Sequence, residues 1–185
     1  MKTMVFTAAV MALALCFAQQ ARAAVPGNKI LVLYYSWGGN TRTVANQIKA
    51  ATGGDIFEVV PVKPYPKGYN DCVDQAKKEI SENFRPEVKA MPDFGRYDVV
   101  FVGSPCWWGT VAPPIATALT KGKLDGKTIV PFMTHEGSGF GHSLADLKKF
   151  CPNSKFLEGQ AIRGSFVGGA ENGVKKWLKE IKVID

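Results

Sequence analysis

The sequence predicts an α/β fold, a parallel and doubly wound sheet with helices on both faces. Two observations carry that prediction. Apolar runs of strand length alternate with helix-type runs from residue 30 to the C-terminal end, and strands that alternate with helices build parallel sheets. Three glycine-bearing segments, at 36–43, 104–110 and 134–141, directly follow the first, third and fourth apolar runs. Right-handed crossovers put every strand-to-helix connection on one edge of such a sheet, so the three segments are expected to meet there.

The elements follow in order. Residues 30–35 are an apolar β-run, and a helix starts at Asn40 and reaches about residue 51. Gly53-Gly54 ends it, because glycine readily takes the left-handed conformation past a helix terminus. Residues 55–60 read as the second strand. Residues 61–69 hold three prolines and a glycine and read as a loop. A helix is expected over 70–83, with Asn70 or Asp71 as its cap. Residues 97–103 form a third strand, apolar enough to be buried on both faces. Pro113-Pro114 opens a helix that runs to about Lys121. Residues 128–133 form the fourth strand. Pro131 removes one ladder donor there and is expected near the strand end. A helix over 142–150, a fifth strand over 155–162 and a last helix over 170–182 complete the chain.

Composition bounds the rest. The chain has 185 residues, a formal net charge of +7, 46% hydrophobic and 21% charged residues. That is ordinary for one globular domain with a real core and excludes disorder. Residues 1–23 read as a cleaved export leader: Lys2, an apolar run over 4–17, then Ala21-x-Ala23 as a peptidase site. The run is shorter than the about 20 apolar residues a bilayer crossing needs. The expectation is therefore a single domain over 24–185, exported to the periplasm, with no membrane insertion after cleavage. Cleavage removes Lys2, Arg22 and Cys16 and leaves three cysteines, Cys72, Cys106 and Cys151. An odd number excludes a fully paired framework. There is no CxxC pair, and His135 and His142 have no metal-type spacing to a third ligand, so no metal site is expected. The basic residues are scattered and no recognition motif is present, so nucleic acid is not an expected partner.

The first glycine segment is Ser36-Trp37-Gly38-Gly39-Asn40-Thr41-Arg42-Thr43. A strand that empties into such a loop at a helix N-terminus makes an anion site, with free backbone N–H groups and a favourable helix dipole. Ser36, Asn40, Thr41 and Thr43 can add side-chain donors, while Gly38 and Gly39 let the backbone curl close to the anion. Arg42 either faces the phosphate or stands in solvent. The loop holds no Lys. A phosphate gripped by neutral donors fits a mononucleotide cofactor that stays bound rather than an ATP that is cleaved. In the second segment, Ser104-Pro105-Cys106-Trp107-Trp108-Gly109-Thr110, two adjacent Trp cannot both point inward with ease. One of them is expected to stack on a flat ligand, worth up to a few kcal/mol. Cys106 reads as a small apolar wall residue, with a redox thiol as the sharper alternative. The third segment, Thr134-His135-Glu136-Gly137-Ser138-Gly139-Phe140-Gly141, is not GxGxxG and follows the fourth strand, so it is no dinucleotide fingerprint. His135 and Glu136 either reach a ligand or cap the loop. Tyr65 and Tyr69 read equally as a lid or as packing.

Together these motifs resemble the flavodoxin family. Ser36 to Thr41 matches the signature of a hydroxyl residue followed by x-x-Gly-Asn-Thr, and Gly103 to Thr110 resembles a bacterial branch that reads Gly-x-Pro-x-Trp-Trp-Gly-Thr. The third segment and the ending Gly159-x-Ala161-Ile162-Arg163-Gly164 are similar to that branch too. The resemblance covers residues 28–183. It implies a flavodoxin-like five-stranded sheet in the order 2-1-3-4-5 and noncovalent FMN. Ser36, Gly39, Asn40, Thr41 and Thr43 would hold the phosphate, with Trp37, Gly38 and Arg42 in the same loop. Ser104, Pro105, Cys106, Trp107, Trp108 and Gly109 would form the loop along the isoalloxazine. Thr134, His135, Gly137, Ser138 and Gly139 would close its far edge. Electron-shuttling flavodoxins are typically acidic and cytoplasmic, whereas this chain is basic and reads as exported, which points away from the usual shuttle partners.

The expected function is electron transfer through a bound flavin to a redox partner protein. The alternative is an enzyme that passes electrons from NAD(P)H to a small acceptor such as a quinone. A third reading is a cofactor-free binding module. The absence of a nicotinamide fingerprint tilts the reading toward the carrier.

Overall fold

The computed structural model describes residues 29–185; the leader expected over 1–23 lies outside the described residues. Strands β1 (Ile30–Tyr34), β2 (Asp55–Glu58), β3 (Val99–Trp107), β4 (Thr110–Val111), β5 (Thr128–His135), β6 (Lys155–Phe156) and β7 (Gln160–Arg163) form one sheet. Helices α1 (Asn40–Thr52), α2 (Tyr69–Ser81), α3 (Pro113–Lys121), α4 (Ser143–Phe150) and α5 (Glu171–Glu180) cover it. The order is β2-β1-β3-β5, with β6 and β7 in tandem along the outer edge of β5. All pairings are parallel except β3 with β4. Counting β6 and β7 as one interrupted strand, this is the order 2-1-3-4-5.

The apolar strands sort their side chains to two cores by simple alternation. Leu31, Leu33, Val100, Val102, Ile129 and Met133 face α2, α3 and α4 through Cys72, Ile115, Leu119 and Leu147. Ile30, Val32, Phe101, Val130 and Phe132 face α1 and α5 through Val44, Ile48, Val174, Trp177 and Leu178. Each fully buried Leu or Ile contributes about 1.5–3 kcal/mol relative to exposure. Gly103 on β3 pairs with Phe132 on β5, and a Cβ at 103 would lie 2.0 Å from the Phe132 ring. The ring therefore lies across the glycine, and no larger residue fits there.

Four local expectations are corrected. Residues 104–107 are strand, not loop: β3 runs through to Trp107, turns at Trp108-Gly109 and returns as β4, with Cys106 opposite Val111 and Trp107 opposite Thr110. Trp108 and Gly109 have φ of 51° and 83°, the pattern of a two-residue hairpin turn with both central residues left-handed. Pro131 sits in mid-strand, not at its end. Thr128 donates its N–H to the Asp98 carbonyl on the β3 side, and the Ile129 carbonyl accepts from Leu157 N–H on the outer side. Alternation then turns Pro131 outward, toward the break between β6 and β7, where the sheet asks for no donor. The fifth strand is broken for the same reason. Finally, α2 starts at Tyr69 behind Gly68 and has no side-chain cap, so Asp71 serves its first turn as a charge near the dipole rather than as the cap.

Among the described residues, no helix is long and apolar enough to cross a membrane. None of their His, Cys, Asp and Glu side chains form a group able to hold a metal ion.

Candidate functional site

The C-terminal ends of β1, β3 and β5 lie side by side, and the three glycine-bearing segments leave from them. The first, between β1 and α1, is braced from within. Gly39 N–H donates to Ser36 Oγ at 3.1 Å, and Gly39 takes φ of 96°, which a side chain would strain. The first helical bond runs from Thr43 N–H to the Gly39 carbonyl. No side chain caps α1, so the amides of Asn40, Thr41 and Arg42 stand outside the helical ladder. Thr41 and Thr134 are both buried, and their hydroxyls meet at 2.8 Å.

These ends open into one cleft with two halves. The polar half, about 460 Å3, is walled by Ser36, Gly38, Asn40 and Thr41 from the first segment and Pro105 from the second. Thr134, His135, Glu136, Gly137 and Ser138 supply its third side. The aromatic half, about 380 Å3, is walled by Trp108, Gly109 and the inner face of α2 (Cys72, Val73 and Ala76). Trp37, Tyr69, Cys106, Trp107 and Ser138 belong to both halves and join them. Each half lies in the size range of small-molecule sites. Free amides and hydroxyls beside indole rings match a planar ring carrying a phosphate tail.

Five of the expected residues lie outside the cleft walls. Arg42 turns its guanidinium onto Glu58, 2.6 Å away, and away from the loop. Thr43 donates its hydroxyl to the Gly39 carbonyl. Gly39 shapes the loop and does not line it. Ser104 is buried and accepts from Ala112 N–H at 2.8 Å while donating to the Pro105 carbonyl. Gly139 takes φ of 58° and serves the turn toward α4.

The two adjacent tryptophans part ways. Trp107 stays in β3, packs edge-on against Tyr35 and Tyr65 with centroids 5.6 and 4.9 Å away, and faces both halves of the cleft. Trp108 sits at the hairpin tip, half exposed and left-handed, a conformation that costs about 1–2 kcal/mol. Its Nε1–H donates to the Val73 carbonyl at 3.1 Å, and Lys77 Nζ lies 4.9 Å from its ring centroid. Trp37 is tied in the same way, by Nε1–H to the Pro66 carbonyl.

The two tyrosines also part ways. Tyr69 is 71% exposed and stands at the cleft mouth. Tyr65 is buried and donates its hydroxyl to Glu79. Burial pushes the Tyr35 and Tyr65 phenols well above the ordinary range, and the Glu79 carboxylate adds to the effect at Tyr65. Both stay protonated. Burial likewise pushes the Cys72 thiol up to about 11, with Glu79 adding to it, so Cys72 is an inert wall residue. Cys106 is a free thiol in the shared wall. His135 Nδ1 accepts from Gly137 N–H at 3.0 Å, which makes it a loop cap that keeps Nε2 for another partner.

Sequence reading missed the α2 wall, and it named Gly164 in the closing motif without a role. Cys72 and Ala76, small and four apart, were the available signal for an inner helix face. A Cβ at Gly164 would lie 2.1 Å from Glu136 Oε1 and 2.4 Å from Asn40 Nδ2. Glycine there lets both side chains close over the end of β7.

A family model described as Flavodoxin matches residues 29–181. The chain belongs to the flavodoxin family. Its fold is similar to that of a Bacteroides eggerthii DSM 20697 protein provisionally described as a flavoprotein. That match has a TM-score of 0.74 and 35% identity and covers 83% of this chain and 98% of the other. A flavoprotein from Lactobacillus acidophilus NCFM, solved in complex with FMN, matches with a TM-score of 0.65 and 26% identity, over 77% of this chain and 97% of that one. A curated relative from Azorhizobium caulinodans, an NAD(P)H dehydrogenase (quinone), is 33% identical over 111 residues. That stretch is 56% of this chain and 55% of the relative, so the chain matches about half the relative's length.

Proposed function

We propose that this flavodoxin-family protein binds FMN noncovalently and passes electrons through it. The observation that carries the reading is the cleft at the ends of β1, β3 and β5, where the unpaired amides at the start of α1 and the Trp107 indole line one continuous space. The FMN complex of the L. acidophilus relative supports it. Ser36, Asn40, Thr41 and the α1 amides hold the phosphate with neutral donors and the helix dipole. Thr134, His135 and Ser138 face the middle of the ligand, and Trp37 and Trp107 flank the ring. When bound, the flavin accepts and returns one or two electrons. The residues around it set its orientation and its exposure. Glu136 is the one carboxylate among the described cleft-lining residues, so repulsion of a negatively charged reduced ring is weak.

The acceptor is either a partner protein docked at the open aromatic end or a small planar molecule such as a quinone. Carrier function is the first reading. The exposed Tyr69 and half-exposed Trp108 leave that end open. Together with the NAD(P)H dehydrogenase (quinone) relative, this supports an NAD(P)H-dependent reductase as the second reading. Adding NADH or NADPH to the yellow holoprotein without oxygen separates them. Bleaching of the flavin band supports the reductase, and a band that yields only to a chemical reductant supports the carrier. A colourless protein that takes up no FMN supports the cofactor-free module and contradicts both. The leader-like sequence over 1–23 supports a site of action in the periplasm. The N-terminus of protein from the periplasmic fraction tests it, with cleavage after residue 23 expected and an intact Met1 contradicting it.

A further inference from the structure

Glu79 occupies a core position on the inner face of α2, in line with Cys72 and Ala76, and is only 8% exposed. It has no ion-pair partner among the described residues. Its two oxygens accept from the Tyr65 hydroxyl and from Gln75 Nε2 at 2.8 Å. A carboxylate buried without a cation is costly, and an apolar side chain there would serve stability better. What the carboxylate holds is Tyr65, and what Tyr65 holds is Trp107: the rings lie 4.9 Å apart at 76°, with Tyr35 closing the triangle at 5.6 Å from Trp107 and 6.0 Å from Tyr65.

The tryptophans supply a second, independent observation. Trp37, Trp108 and Trp177 each donate the indole N–H to a backbone carbonyl, of Pro66, Val73 and Glu158. Trp107 makes no such bond among the described residues. Its ring is packed by Tyr35 and Tyr65, its Nε1–H has no protein acceptor among the described residues, and the residue lines the seam that joins the two halves of the cleft.

We infer that Glu79 and Tyr65 are positioning residues for Trp107, fixing its indole so that Nε1–H serves as a hydrogen-bond donor to the polar edge of the bound ring. This rests on the FMN reading and adds to it a specific donor and the pair that aims it. Edge-on packing sets the indole plane, and the Tyr65–Glu79 bond keeps Tyr65 from rotating out of that packing.

The test compares wild type with Tyr65→Phe, Glu79→Leu, Glu79→Gln and Trp107→Phe, reading FMN Kd by fluorescence titration, near-UV circular dichroism and the thermal midpoint. Tyr65→Phe and Glu79→Leu are expected to stay folded, to lose near-UV signal and to weaken FMN binding about tenfold, the worth of one well-placed hydrogen bond. Glu79→Gln keeps an acceptor for Tyr65 and is expected to recover most of that loss. Trp107→Phe weakens binding at least as much, and adding Tyr65→Phe to it costs nothing further, because both changes remove one interaction. Folded Tyr65→Phe and Glu79→Leu proteins with wild-type Kd and near-UV signal overturn the inference, as do additive losses in the double variant. A wild type that takes up no FMN contradicts the proposed function instead. In that case the near-UV signal decides the positioning, since an unchanged spectrum in Tyr65→Phe overturns it.

Discussion

The hydroxyls of Thr41 and Thr134 meet at 2.8 Å, both buried, and tie the N-terminus of α1 to the C-terminal end of β5. The phosphate-loop side of the cleft and its far side are thereby held by one bond between residues 93 apart in sequence. Thr134→Val leaves the Thr41 hydroxyl buried without its partner and is expected to cost about 1–3 kcal/mol of stability. Thr41→Val is expected to cost a similar amount, and the double variant clearly less than the sum. Urea unfolding of the four proteins gives the coupling, and additive losses would show that the two hydroxyls do not depend on each other.

Arg42 is the loop residue that charge alone would assign to a phosphate, yet its guanidinium lies on Glu58. Arg42→Ala is expected to change FMN affinity less than about twofold and stability by less than about 1 kcal/mol, as for an exposed ion pair. Asn40→Ala is expected to weaken FMN binding about tenfold through loss of a hydrogen bond at the cleft wall. Titrations of both variants check the contrast, and a larger loss in Arg42→Ala would return the cation to the ligand.

Gly103 is required by Phe132. A Cβ at 103 would lie 2.0 Å from the ring, in a core with no room to yield. Gly103→Ala is expected to lower stability by about 1–3 kcal/mol or more. Adding Phe132→Leu should recover part of that loss. Thermal unfolding checks both, and a Gly103→Ala protein as stable as wild type would place the ring elsewhere.

Asp146 ties α4 to the hairpin beside the cleft. Burial alone would raise its pKa, but hydrogen bonds from Thr110, Lys149 and His142 outweigh that and hold it below the ordinary 3.8. A carboxylate with a lowered folded pKa contributes stability above its unfolded value, and that stability is lost as pH falls through the folded value. Asp146→Asn is therefore expected to be less stable than wild type at about pH 7, with the gap narrowing as pH falls below the ordinary 3.8 and the carboxylate takes up its proton. Urea midpoints across that range test it, and a gap that does not change with pH would contradict the assignment.

The sheet was legible because strands buried on both faces must be apolar throughout, as in residues 30–34 and 99–103. The end of α1 was legible because glycine takes the φ of 71° found at Gly53 without the strain a side chain brings. The far end of β3 was not. Ser104-Pro105 has the composition of a loop, and the turn puts a Trp at φ of 51°, which no local preference predicts. The indole bond to Val73 and the Lys77 ammonium over the ring offset that strain, and both come from α2, some thirty residues earlier. The orientation of Arg42 was hidden for the same reason, since its partner Glu58 reaches it only through the register of β1 with β2. In the site, loop residues announced themselves by glycines and hydroxyls. The α2 wall, built of ordinary small apolar residues, did not.

The central question is whether this cleft takes a phosphorylated flavin. Titrating FMN into the purified protein, with riboflavin as the matched ring lacking the phosphate, is the measurement. Saturable quenching of flavin fluorescence by FMN, with riboflavin bound at least about tenfold more weakly, is the predicted result. No saturable FMN binding, or equal affinity for the two, would contradict the assignment of the α1 loop and its polar half of the cleft to the phosphate.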